Sequence, residues 1–172
     1  RAFMLRLGAQ QSFERFATSA VLYWRRGSNV IDWIKRTPDA DWESMQITSM
    51  NTYGAELSGA YRKKLGFLRE ASLSYGFIYT DKSSGEYISK YALDYMRNKL
   101  SLSATVAFCN NLLFTANGTL YDRRGSYSEL DDAGNAVTKE YKPYFLLNGK
   151  LLWQHKLLEI FLEAENIASA KY

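Results

Sequence analysis

The chain has 172 residues, 47% hydrophobic and 15% aromatic, and its 22 basic and 18 acidic side chains leave a net charge of +4. No apolar run approaches the roughly 18 residues of a membrane-crossing helix, and the charges are scattered, without the basic block that would favour nucleic acid. One cysteine and one histidine exclude an internal disulfide and a conventional zinc site.

Lack of a helical span leaves a membrane barrel open, because a barrel hides its lipid face in alternation. The 13 Tyr and 4 Trp exceed what a core of this size needs and suit girdles at a bilayer interface. The two prolines, Pro38 and Pro143, fall in expected loops, as a strand-rich chain requires. Arg1 leads directly into a strand-like pattern with no signal peptide, so the chain is expected to be a piece of something longer.

Ala2–Gln10 sets Phe3, Leu5, Leu7 and Ala9 against Arg6, Gly8 and Gln10, the period-two pattern of a strand with unlike faces. A short turn is expected at Phe13–Arg15, then a strand over Phe16–Arg26 whose faces the pattern does not assign. Gly27–Trp42, containing NVIDWI and Pro38, is expected to be a long connection.

Ile47–Arg62 places Tyr53, Ala55, Leu57, Gly59 and Tyr61 on one face and Glu56, Ser58 and Arg62 on the other. A basic turn, Lys63–Arg69, leads to a strand with Ala71, Leu73, Tyr75, Phe77 and Tyr79 on the same face. Pairing apolar with apolar sets Tyr61 opposite Leu73 and Leu57 opposite Phe77. Asp81–Tyr91 is an expected loop.

The strongest signal lies within Ser89–Tyr127. Leu100, Leu102, Ala104, Val106 and Phe108 alternate with Ser101, Ser103, Thr105 and Ala107. After Cys109-Asn110-Asn111 the alternation resumes in phase, with Leu112, Phe114, Ala116, Gly118 and Leu120 against Thr115, Asn117 and Thr119. Folding about Asn110 brings Val106 opposite Phe114, Ala104 opposite Ala116 and Leu100 opposite Leu120; a one-residue slip would break every apolar pair. Such arms exceed the five or six residues of an ordinary soluble strand and match the roughly 9–11 of a membrane-crossing one.

A polar excursion, Arg123–Pro143, follows. Tyr144–Gln154 alternates Phe145, Leu147, Gly149, Leu151 and Trp153 with Asn148, Lys150 and Gln154. A two-residue turn at His155-Lys156 leads into Leu157–Asn166, pairing Trp153 with Leu158 and Leu151 with Ile160. Short turns therefore fall near residues 14, 66, 110 and 155, and long loops near 35, 86, 133 and beyond 166. Short turns at one rim and long loops at the other are the habit of outer-membrane barrels. The expected fold is all-β, an antiparallel meander of about eight strands. A propeller is disfavoured, since its blades need four short strands per repeat.

Several stretches in order resemble the C-terminal barrel of a TonB-dependent outer-membrane receptor: NVIDWI (Asn29–Ile34), TYGAEL (Thr52–Leu57), SKYALDYMRNKLS (Ser89–Ser101), YDRRGSY (Tyr121–Tyr127), YKPYFLLNGKLLW (Tyr141–Trp153) and IFLEAENIASAKY (Ile160–Tyr172). The last is similar to the family's penultimate strand, with Asn166, Ile167 and Tyr172 matching and Ala168 and Ser169 replacing an aromatic and an acidic member. The resemblance implies that residues 1–172 are part of a larger barrel of about 22 strands, roughly its strands 14 to 21. The plug domain with its TonB box and the last strand are then absent from this stretch. It further implies a Gram-negative outer-membrane location and energy-coupled uptake of a scarce nutrient such as a ferric siderophore, haem or cobalamin. The implied partners are outer-membrane lipid, the protein's own plug domain and through it the TonB complex, and a small-molecule or metal-chelate ligand.

In such a receptor the work is binding and gating rather than bond chemistry, so neither enzymatic activity nor a cofactor is expected. Trp33, Trp42, Tyr87, Tyr127 and Tyr141 offer aromatic surface for capture on the outer loops, and Arg123 and Arg124 offer charge; the competing reading anchors these aromatics at headgroup level. Ser101, Ser103, Thr105, Asn117, Lys150, Glu163 and Glu165 are expected to face the lumen, where they contact the plug or simply hydrate the wall. Asp131–Asn135 lacks the spaced ligands and closing Glu of a calcium loop, and an ordinary turn is expected. No Ser-His-acid set, phosphate loop or dinucleotide fingerprint appears. Two rivals are a self-contained eight-stranded soluble carrier resembling a lipocalin, and a small outer-membrane lipid enzyme built around His155.

Overall fold

The computed structural model describes residues 2–37, 40–62, 66–82, 88–89, 95–131 and 134–171. In chain order its strands are β1 (Ala2–Ser12), β2 (Phe16–Lys35), β3 (Glu43–Tyr61), β4 (Leu68–Lys82), β5 (Ile88–Ser89), β6 (Tyr95–Cys109), β7 (Leu112–Arg124), β8 (Ser126–Leu130), β9 (Ala136–Glu140), β10 (Tyr144–His155) and β11 (Leu158–Ala164). Eight of them form one antiparallel meander, β1-β2-β3-β4-β6-β7-β10-β11, with β5 added to β2; β8 and β9 make a separate hairpin. The sheet ends in two edges, β1 and β11, so it does not close on itself as the eight-stranded carrier requires.

The ladder sorts the side chains into two faces. One transverse row runs Ala9, Ala20, Leu57, Tyr75, Leu100, Leu120, Phe145 across seven strands. Below it lie rows such as Val106, Phe114, Leu151, Leu162. Directly opposite residues on one face are close enough to pack, each pair adding roughly 0.2–1 kcal/mol. This apolar face has no cover. Leu7 is 72% exposed and Leu162 69%, and among the described residues Ile34 and Ala107 are the buried hydrophobics. Leu102, Leu151 and Ile160 are exposed, so they do not converge on a dry core.

Aromatic pairs bracket the apolar face at both ends. At the loop end Phe3 meets Trp24 at 5.8 Å and Tyr53 meets Tyr79 at 6.5 Å between ring centroids. At the turn end Phe16 meets Tyr61 at 5.0 Å and Phe108 meets Phe114 at 6.4 Å. From Phe16 to Trp24 on β2 is about 26 Å along the strand, or about 20 Å at a tilt of roughly 40°. The outward apolar band of a membrane barrel is about 25 Å tall. The scale fits.

The register of β6 and β7 is the expected one: Leu100 faces Leu120, Ala104 faces Ala116 and Val106 faces Phe114. Two other hairpins are shifted by two residues. Tyr61 faces Ala71, not Leu73, and Leu57 faces Tyr75, not Phe77. Trp153 faces Ile160, not Leu158, and Leu151 faces Leu162, not Ile160. An even shift keeps every residue on its face, so apolar matching alone does not separate the two registers. The turn decides. His155 stays in the ladder opposite Leu158, leaving Lys156-Leu157 as the loop, with Lys156 at φ 49°, a left-handed conformation usually taken by Gly or Asn.

Three connections hold more strand than expected: the loop expected at Asp81–Tyr91 takes in the end of β4, through Lys82, and β5 (Ile88–Ser89). NVIDWI is not a loop: β2 continues through it, pairing with β3 as far as Ile34 opposite Glu43. The polar excursion between β7 and β10 contains the β8–β9 hairpin, Ser126 opposite Glu140 through Leu130 opposite Ala136. Neither NVIDWI nor the β8–β9 hairpin shows a clean oily row in its sequence.

Candidate functional site

The second face of the sheet carries polar side chains that line up across strands, with one apolar row, Ala107, Leu113, Leu152 and Phe161, at the turn end. Gln10, Ser19, Ser58, Ser74, Ser101 and Thr119 occupy one continuous row from β1 to β7. Within it the Ser19 and Ser58 hydroxyls lie 2.8 Å apart, and the Thr119 hydroxyl donates to Ser101 Oγ at 3.2 Å. The next row holds Ser72, Ser103, Asn117 and Asn148. A third runs Glu70, Thr105, Thr115, Lys150, Glu163, with the two threonine hydroxyls 3.0 Å apart. Six of the expected lumen residues, Ser101, Ser103, Thr105, Asn117, Lys150 and Glu163, thus share this face. Glu165 lies beyond the end of β11 and outside the ladder.

Three opposite-charge pairs lie on this face. Arg6 reaches Glu56 at 3.4 Å, Arg62 reaches Glu70 at 3.6 Å, and Lys150 reaches Glu163 at 2.7 Å. All six side chains are substantially exposed, so each pair adds little stability. Their effect is to leave a hydrogen-bonding wall with little net charge. Alternation already puts Ser58 and Thr119 on the polar side of their strands; joining them with Ser19 and Ser74 into one row takes the registers of neighbouring hairpins.

Toward the loop end the polar face turns aromatic and cationic. Tyr121 and Tyr144 stack at 5.0 Å, and Lys99 Nζ sits 5.5 Å from the Tyr121 ring centroid. Two residues along β7, the Arg123 guanidinium lies 4.4 Å over Tyr141, whose ring meets Tyr127 at 5.3 Å. The Tyr141 N–H donates to the Gly125 carbonyl at 3.3 Å, which fixes the start of the returning chain beside β7. Cation–π contacts of this kind contribute about 0.5–1 kcal/mol when exposed. Three expected capture residues, Arg123, Tyr127 and Tyr141, are therefore brought together, and Lys99, Tyr121 and Tyr144 extend the same column downward.

The remaining capture candidates lie apart from that column. Trp33 is on β2 and Trp42 on the β2–β3 connection, where Lys35 Nζ sits 5.1 Å from the Trp42 ring. Arg124 ends β7 opposite Tyr95. Tyr87 lies outside the described residues. His155 stacks on Trp153 at 5.7 Å with the rings 6° from parallel, at the turn rim. Among the described residues no group of His, Cys, Asp or Glu is arranged to hold a metal. Asp131 accepts from the backbone and side chain of Asn135, as an ordinary turn does.

No curated protein matches the chain. Among solved structures, the FrpB iron transporter from Neisseria meningitidis (F3-3 variant) superposes with a TM-score of 0.64 at 16% identity, over 96% of this chain and 26% of that one. At that identity the likeness is one of fold. The family model described as TonB dependent receptor-like, beta-barrel matches residues 5–167. The chain belongs to the TonB-dependent receptor-like β-barrel family.

Proposed function

We propose that this chain is part of the wall of an outer-membrane TonB-dependent transporter that takes up a scarce nutrient as a metal chelate or similar small molecule. The candidates are a ferric siderophore, haem or cobalamin. In this reading residues 1–172 are a C-terminal portion of the barrel, and the plug domain and last strand belong to other parts of the protein. A chain that spans 26% of the FrpB iron transporter supports that division.

The apolar face then meets lipid and the hydroxyl rows line a wet lumen against the plug. Water or plug groups satisfy those hydroxyls, whereas in hydrocarbon each unpaired one would cost several kcal/mol. The observation that carries the reading is the column from Tyr144 and Tyr121 up to Arg123, Tyr141 and Tyr127. It joins the polar face to the outer hairpin with rings and fixed positive charge, which suit a flat or anionic ligand.

The test is uptake of radioactive iron chelates by cells expressing the full-length protein or lacking it, with and without the energy-coupling complex. Uptake that needs both supports the reading. Iron, haem and cobalamin uptake unchanged by deletion would overturn it.

A further inference from the structure

One strand breaks the meander. Every other strand of the main sheet pairs with its neighbour along the path, but β5 comes from the β4–β6 connection and pairs with β2. The pairing sets Ser89 opposite Ile34 and Ile88 opposite Lys35. On the other edge of β2, β3 is already paired as far as Ile34 opposite Glu43. The edge that β5 takes is the one β1 vacates, since the β1 ladder ends at Ala2 opposite Gly27. β5 therefore lies across β2 from β3.

Ile34 is 2% exposed, the largest fully buried side chain among the described residues, in a sheet that otherwise leaves its apolar side chains open. Its burial coincides with the two positions that β5 pairs. An arm standing beyond the apolar band with a free edge is poorly held, and an unpaired edge invites other strands. β5 removes both problems at once.

We propose that β5 is a strap that holds the outer end of the β2–β3 arm at the loop rim. Trp33 and Trp42, both carried by the arm, are then positioned by the strap as well as by their own hairpin. Release of the strap frees the end of the arm without disturbing the meander beneath it. The inference needs no particular ligand and stands apart from the uptake reading.

The test uses the full-length protein in the outer membrane, with Cys109 replaced by Ser. Ile34→Cys and Ser89→Cys together place two thiols at directly opposite strand positions, within disulfide range. Mild oxidation is expected to cross-link most molecules. Absence of the cross-link, with each single cysteine open to maleimide, would overturn the proposal. Ser89→Pro removes a backbone donor from the strap and is expected to speed trypsin cleavage after Lys35 or Arg36 at least tenfold, while the heat-modifiable gel mobility of the folded barrel stays unchanged. Equal cleavage in the two proteins would also overturn it. Should the proline variant fail to fold, the cross-link decides alone.

Discussion

The ring of Tyr23 on β2 covers Gly54, its direct partner on β3, so closely that a methyl group at Gly54 would overlap the ring. Gly54 is buried. Gly54→Ala should force Tyr23 off its seat and cost about 1–3 kcal/mol by overpacking, read as a lowered urea midpoint of the full-length barrel. Tyr23→Ala removes the obstacle, so adding Gly54→Ala to it should cost far less than in the native protein. Equal costs in both backgrounds would show that the contact is not the cause.

The Arg123–Tyr141–Tyr127 cluster predicts a specific pattern in ligand capture. Tyr141→Ala and Arg123→Ala should each weaken binding about tenfold, near 1.4 kcal/mol. Arg123→Lys should restore only part of the loss, because a lysine does not stack its charge flat on the Tyr141 ring. Under the proposed function, equilibrium binding of ferric chelates, haem and cobalamin to whole cells measures this. Full restoration by lysine would reduce the role of Arg123 to charge.

On the outer hairpin, Lys139 Nζ lies 2.7 Å from Glu129 Oε2. The hydrogen bond to Glu129, and then its charge, raise the Lys139 pKa above its ordinary 10.5. A raised folded-state value means the pair's contribution is complete below about pH 10.5 and is lost as pH rises through the higher folded value. A carbon-13 titration of the Lys139 side chain should give a midpoint above 10.5 that falls back in Glu129→Gln. An unchanged midpoint in that variant would rule out Glu129 as the cause.

Asn166, at φ 48°, closes the corner after β11. Its backbone N–H donates to Asn148 Oδ1 at 2.9 Å, its side chain exchanges bonds with Ala170 at 2.8 and 3.0 Å, and Ile167 Cδ1 packs over Gly149. Asn166→Ala loses the side-chain bonds and strains the backbone, and should cost about 1–3 kcal/mol. Asn166→Gly keeps the conformation and should fall between the two. A larger loss in glycine than in alanine would contradict the backbone part of this account.

How much of this the residues announce follows from where an oily face exists. Inside the apolar band the alternation assigns the faces of every strand but β2, whose Phe16–Arg26 stretch is sorted only by its ladders to β1 and β3, and at Asn110-Asn111 the turn chemistry also fixes the register. At Lys156-Leu157 the turn uses residues with no turn signature, so the strand faces are legible while the register slips by two. Outside the band the pattern fades: the period-two alternation does not run on through NVIDWI or the β8–β9 hairpin, although both are strands. The site divides the same way. Ser101, Ser103 and Thr105 declare themselves by alternation, but the row from Gln10 to Thr119 exists only once five ladders are joined. The meeting of Arg123 with Tyr141 depends on a returning hairpin that local sequence does not describe.

The central claim is that the apolar rows meet lipid and the hydroxyl rows meet water. It is tested most directly by spin labels placed singly from Leu100 to Val106 on β6, in the full-length protein with Cys109 replaced by Ser, and by their collision rates with oxygen dissolved in the bilayer. The account predicts high oxygen access at positions 100, 102, 104 and 106 and low access at 101, 103 and 105. Peaks at the odd positions, or no alternation, would contradict it.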